Sequence, residues 1–396
     1  MLALELLRDP KYRNYWLSLF VSQVGTWMQS AAQAWLVIDL TGSAARLGLV
    51  VALQFIPALF FSLPAGVLAD RMPRRTLLRV TQGSMAALAL LMSLLIFSGR
   101  ITYPLVLLFA LLYGFANVFD LPTRQAFTVE LASRERYPGA IALNAFSFNV
   151  ARLLGPTVAG ILIARVGLAW AFFINGLSFL PMLLFLLAVP IGLARGGESG
   201  GWRGQLQNGL EYVRKTKRVF SAIVLMFWVG LFAINFQTLV PAYARLVLGL
   251  GAEGFGVVMG SMGIGALLGA LTQAALSGFS PRRVDVGTWV LIASLALLWL
   301  PLSTPVVALV MALAGFGMSL VMVGTNTLIQ TAVSDKLRGR VMSIYSMALW
   351  GAKPLGSYLV GYAIDALGGR SASLLLALLT ALGWSGVWLW KKRSAG

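Results

Sequence analysis

The chain has 396 residues, of which 59% are hydrophobic and 11% charged, against about 25% charged residues in a soluble globular domain. That balance excludes a string of soluble domains and fits a polytopic membrane protein. The formal net charge of +18 would suit a nucleic-acid binder, but its distribution argues for topogenic loops instead.

With no cysteine, the chain offers no disulfide framework and no thiol nucleophile. With no histidine, it lacks the commonest transition-metal ligand and the side chain that titrates near neutrality, so proton chemistry falls to carboxylates or shifted lysines. No Gly-x-x-x-x-Gly-Lys-Ser/Thr run occurs, so ATP is not expected as the energy source within this chain. No cofactor, metal or enzymatic nucleophile is expected.

A helix needs about 20 apolar residues to cross a bilayer. Twelve segments qualify, near 14–38, 45–69, 76–98, 102–121, 138–164, 169–191, 219–244, 253–277, 284–302, 305–331, 339–364 and 371–390. Ala32-Gln33-Ala34 resembles a signal-peptidase site, but the first apolar stretch is longer than a signal core and reads as a retained span. If the N-terminus is cytoplasmic, twenty-four basic residues lie on the cytoplasmic side and five on the other. The positive-inside rule then puts both termini in the cytoplasm.

Taken in order, the first segment carries Ser22, Thr26, Gln29 and Gln33 on one helical face, with Asp39 at its outer end. Such residues either line a cavity or hydrogen-bond neighbouring helices. The loop after the second segment reads Gly-Val-Leu-Ala-Asp-Arg-Met-Pro-Arg-Arg and sets Asp70 among Arg71, Arg74, Arg75 and Arg79. The fourth segment repeats the polar stripe with Tyr113, Asn117, Asp120 and Arg124. Asp120 stands two residues before Pro122, where the helix is expected to loosen, and suits either a proton carrier or a gate or structural ion pair with Arg124. In the fifth segment Arg152 lies deep in apolar sequence, close to Gly155, Pro156 and Gly160. Its counterpart in the eleventh is Lys353. A cation at that depth needs water or a polar partner; the pair either braces the fold or lines a cavity that favours neutral or anionic cargo.

The polar stretch 195–218 reads as a cytoplasmic linker. It divides the chain into an N-terminal six-helix bundle (1–194) and a C-terminal one (219–396). The halves repeat. Gln29/Gln237, Gly48/Gly256, Pro73/Pro281, Arg74/Arg282 and Arg75/Arg283 are each 208 apart, and Gly114/Gly315, Gly155/Gly356 and Gly160/Gly361 are each 201 apart. Two parallel repeats imply a pseudo-two-fold axis along the membrane normal.

Twelve spans in two halves, with the Gly66 to Arg75 motif after the second, resemble the major facilitator superfamily. The runs Phe-Asp-Leu-Pro-Thr-Arg-Gln-Ala-Phe-Thr-Val-Glu-Leu (119–131) and Asn-Ala-Phe-Ser-Phe-Asn-Val-Ala-Arg-Leu-Leu-Gly-Pro-Thr-Val-Ala-Gly (144–160) are similar to its exporter branch, which includes enterobactin and macrolide efflux proteins. Pro73 stands where the family motif has glycine.

The resemblance implies an all-α fold of two six-helix bundles, with a cavity lined by Thr26, Gln29, Gln33, Asn117, Asn235, Gln237 and Asn326, to which the depth of Arg152 and Lys353 in their spans adds those two cations. It implies a cytoplasmic gate of Gly66, Asp70, Arg71, Arg74, Arg75 and Arg124, with Asp70 reaching the start of the eleventh helix near Gly339. Asp120 and Asp39 are the candidate proton-coupling groups. The expected function is export of an amphipathic small molecule across a bacterial inner membrane by a lipid-embedded monomer exchanging substrate for protons, without nucleic acid. A proton-independent facilitator or lipid-type translocator is the alternative within transport. A non-transporting receptor fits poorly, since no loop is longer than about 25 residues.

Overall fold

The computed structural model describes residues 2–133, 136–188, 210–276 and 280–393, and every regular element among them is helical. The first half contains α1 (Leu2–Arg8), α2 (Pro10–Thr41), α3 (Ala44–Arg71), α4 (Arg74–Phe97), α5 (Tyr103–Ala132), α6 (Tyr137–Arg165), α7 (Leu168–Ser178) and α8 (Leu180–Ala188). The second contains α9 (Lys217–Phe232), α10 (Phe236–Ala242) with a π-helical turn (Tyr243–Val247), α11 (Ala252–Ala275), α12 (Pro281–Leu297), α13 (Thr304–Ala332), α14 (Asp335–Leu367) and α15 (Gly369–Arg393). Most of the expected linker, 195–218, lies outside the described residues.

All twelve apolar segments fall on these helices, with local differences. α5 continues through Pro122 to Ala132 rather than loosening, although proline costs one backbone hydrogen bond. The sixth segment breaks at Phe179, just before Pro181. The seventh breaks at 233–235, where the Asn235 side chain donates to the carbonyls of Gly230 and Leu231 at 3.0 and 2.9 Å and caps the end of α9. α14 begins at Asp335, a turn ahead of Gly339.

Nine stretches among the described residues are long and apolar enough to span a bilayer. The other three expected spans are α12, short at 17 residues, and the more polar α2 and α14. Large apolar side chains such as Leu94, Leu309 and Leu382 are well exposed, as a lipid-facing surface requires.

The chain forms two compact units, residues 1–41 with 53–197 and residues 42–52 with 198–396. They depart from the expected halves in α3, whose first nine residues belong to the second unit.

Within the first unit, α2 packs on α6 and α4 on α5 and α7. Small residues let the backbones touch, the usual basis of helix packing in lipid. A Cβ at Gly114 of α5 would sit 2.5 Å from the Gln54 carbonyl oxygen of α3, and one at Gly155 of α6 would sit 2.7 Å from the Met28 nitrogen of α2. Tyr15 and Phe127 meet edge to face at 5.6 Å in an apolar cluster with Leu19, Leu78 and Met182.

Within the second unit the same contacts recur. Gly315 of α13 abuts the Met262 carbonyl of α11, and Gly356 of α14 abuts the Leu231 carbonyl of α9. Gly114 and Gly315 are 201 apart, and Gln54 and Met262 are 208 apart. One repeated glycine therefore meets one repeated carbonyl in each unit. α11 and α13 meet a second time, where Gly265 lies against the Ala312 carbonyl.

Candidate functional site

In the first unit, the polar face of α2 is bonded to three neighbouring helices. Asn175 of α7 donates to Gln29 Oε1 at 2.6 Å, and the Ser178 hydroxyl bonds back to Asn175 Oδ1 at 3.0 Å. Gln54 of α3 donates to Gln33 Oε1 at 3.2 Å, and Thr26 shares a hydrogen bond with the Tyr113 hydroxyl of α5. Gln29 and Gln33 are both buried. These contacts have the form of interhelical glue. Asn117, one turn past Tyr113, is half-buried and has no hydrogen-bond partner among the described residues.

Asp120 is 1% exposed and joins α5 to α4. Its Oδ1 accepts from the Thr81 hydroxyl at 3.0 Å and from Gln82 Nε2 at 2.7 Å. Its Oδ2 lies 3.5 Å from Arg124 Nε, one turn along α5. Two neutral donors and a guanidinium thus satisfy a carboxylate that would be costly if buried alone. Asp39, by contrast, is exposed near the end of α2.

The loop arginines divide their work. Arg75 Nη2 donates to the Leu187 carbonyl at 2.6 Å, Arg75 Nε reaches the Leu186 carbonyl, and Arg79 Nη2 reaches that same oxygen at 2.9 Å. Together they satisfy orphan carbonyls at the end of α8, where cations also suit the helix dipole. Arg74 pairs with Glu130 of α5 at 3.2 Å, while Arg71 is exposed. A Cβ at Gly66 would meet open space, so no packing contact demands glycine there. The Asp70 side chain, central to the expected gate, lies outside the described residues. Arg124, expected to share that gate, is engaged by Asp120.

Arg152 stands near the midpoint of the 29-residue α6, with no hydrogen-bond or ion-pair partner among the described residues. Lys353 stands near the midpoint of the 33-residue α14 in the second unit. There Lys353 Nζ donates to Gln237 Oε1 at 2.7 Å and lies 5.3 Å from the centre of the Trp350 ring. Asn235, besides capping α9, accepts from the Ser357 hydroxyl at 3.0 Å, and Asn326 accepts from Gln330 at 2.6 Å. Of the expected cavity residues, Gln237 and Lys353 are therefore brought together directly.

Several polar contacts were invisible to sequence reasoning. Thr81 and Gln82 form a polar pair inside an apolar span, a signal that could have flagged them. Asp365 of α14 gave none: its Oδ1 accepts from the Ala44 nitrogen at 2.8 Å, and its Oδ2 accepts from the Ala45 nitrogen at 3.0 Å and the Ser43 hydroxyl at 2.5 Å. These bonds satisfy free backbone donors at the start of α3, all within the second unit.

The family model described as transmembrane secretion effector matches residues 2–388. The chain belongs to that family. It is a transporter of the major facilitator superfamily and not an enzyme. Among curated relatives, the staphyloferrin A transporter of Staphylococcus aureus is 24% identical over 90% of each chain. The multidrug efflux pump Tap of Mycobacterium tuberculosis is 26% identical over 94% of this chain and 91% of its own. The enterobactin exporter EntS of Shigella boydii is 26% identical over 48% of this chain and 46% of its own. Among solved structures, a bacterial homologue of the human lysosomal transporter Spinster, inward-facing and unoccupied, superposes with a TM-score of 0.75 at 13% identity, covering 96% of this chain and 97% of its own. The nucleoside transporter NupG gives 0.75 at 14% identity, covering 96% and 98%. At such identities the likeness speaks for the fold alone.

Proposed function

We propose that this secretion effector exports a neutral or anionic amphipathic small molecule, siderophore-like or drug-like, from the cytoplasm across a bacterial inner membrane. The observation that carries the substrate class is the pair of mid-helix cations. Arg152 has no ion-pair partner among the described residues, and Lys353 donates to the neutral amide of Gln237. Desolvating a cation at mid-bilayer depth costs about 3 kcal/mol or more, which a cavity water or an anionic substrate group offsets. The names of the Tap efflux pump and the EntS exporter support the direction of transport, and together with the staphyloferrin A transporter they support the two substrate classes.

In this reading twelve helices form two six-helix halves, both termini are cytoplasmic, and a monomer works by alternating access, driven by proton antiport. Asp120 and Asp39 are the proton candidates, and uptake at Asp120 competes with its Arg124 ion pair, which makes that pair a gate. A proton-independent facilitator is the second reading, favoured by the complete set of donors around Asp120.

The test is a panel of neutral, anionic and cationic amphiphiles on purified protein in liposomes, with and without a pH gradient. The gradient should accelerate uptake of at least one neutral or anionic compound. The double variant Arg152→Gln with Lys353→Gln should cut anionic transport about tenfold, near 1.4 kcal/mol. Flux indifferent to the gradient establishes the facilitator, and unchanged selectivity in the double variant removes the role of the cations.

A further inference from the structure

The second unit carries a groove that the transport reading does not use. α9 and α15 pack together, leaving an open groove lined by Phe220, Val224 and Trp228 on one wall and Leu382, Gly386 and Trp390 on the other. On each helix the three positions follow at steps of four, one continuous face about 12 Å long. Gly383 supports the wall directly, since a Cβ there would lie 2.6 Å from the Trp228 ring. A Cβ at Gly386 would meet nothing within 4 Å, so the missing side chain there keeps the groove open. Phe220 and Trp390 meet at 5.2 Å at one end.

That end is strongly basic. Lys217 and Arg218 form the first turn of α9, Lys391 and Lys392 follow Trp390, and all four are exposed. Lys392 Nζ lies 5.4 Å from the centre of the Trp388 ring. Neither helix contains an acidic residue, and Glu211, the nearest carboxylate before α9, pairs with Lys215 at 2.6 Å. An apolar, aromatic-walled groove thus runs into a cluster of exposed cations.

We propose that this groove is a binding site for an anionic phospholipid, one acyl chain lying between α9 and α15 and the phosphate resting on Lys217, Arg218, Lys391 and Lys392. The chemistry of both ends selects the occupant. An acyl chain fits the apolar walls, tryptophan rings favour the headgroup level, and clustered Lys and Arg attract anionic headgroups. The inference rests on membrane residence and is independent of substrate, direction and proton coupling.

The test is lipid binding by the purified full-length chain in detergent, titrated with dioleoyl phosphatidylglycerol or dioleoyl phosphatidylcholine and read by native mass spectrometry. The wild type should retain one phosphatidylglycerol about tenfold more tightly than phosphatidylcholine. Changing Lys217, Arg218, Lys391 and Lys392 together to Gln should abolish that preference. Gly386→Leu fills the groove and leaves every cation in place, so it should release the lipid. Inorganic phosphate at millimolar concentration should not displace it. Equal retention of the two lipids by the wild type, or undiminished phosphatidylglycerol binding in Gly386→Leu, overturns the proposal; the latter would leave the cations as topogenic charges with diffuse lipid attraction. Each readout is binding, so a failed transport assay leaves it unaffected.

Discussion

Asp365 does by side chain what a helix start cannot do for itself. The first turn of α3 has free backbone N–H groups, and one carboxylate from α14 accepts from two of them and from Ser43. Asp365→Ala should therefore lower thermal stability in detergent by about 1 kcal/mol, the scale of a lost helix cap. Asp365→Asn, which keeps one acceptor oxygen, should lose less; equal loss in both would assign the effect to charge rather than capping. Sequence reasoning had no access to Asp365, because its partners lie 320 to 322 positions away in the chain. Asp120 was legible as a buried carboxylate with Arg124 one turn on, since both share one helix. Its other two donors come from α4, so only the fold could supply them.

Glycines set the helix pairings. Where Gly315 lies on Met262 and Gly114 on Gln54, the backbones touch and no side chain fits without displacing a rod. Gly315→Leu should destabilise the second unit by about 1–3 kcal/mol, the usual range for overpacking, measured as a drop in unfolding temperature. Gly339→Ala meets open space and serves as the control with little change. These contacts were partly legible, because a glycine recurring at the same place in both halves stands out against apolar chance matches. The breaks at Phe179 and 233–235 were not. Hydropathy reads the sixth and seventh segments as continuous, while Pro181 and the Asn235 side chain end the helices locally. The loop arginines show a similar limit: their positive charge marked a loop, yet two of them cap the end of α8.

For the molecule as a whole, composition and the repeat were enough to establish a helical membrane protein built from two related parts. One of the places where the chain passes from one compact unit to the other was not legible. It falls inside α3, after Ala52, because membership is decided by contacts with α14 far along the chain. The paired glycine contacts between α11 and α13 also make a molecular ruler. Backbones that touch at Gly265 and at Gly315 leave no slack for one helix to slide along the other. The chain has no native cysteine, so thiol-directed spin labels can be placed at the exposed positions Leu268 and Leu309 without background. Their separation should stay constant under substrate and under a pH gradient, a fixed length against which any distance that does change can be calibrated.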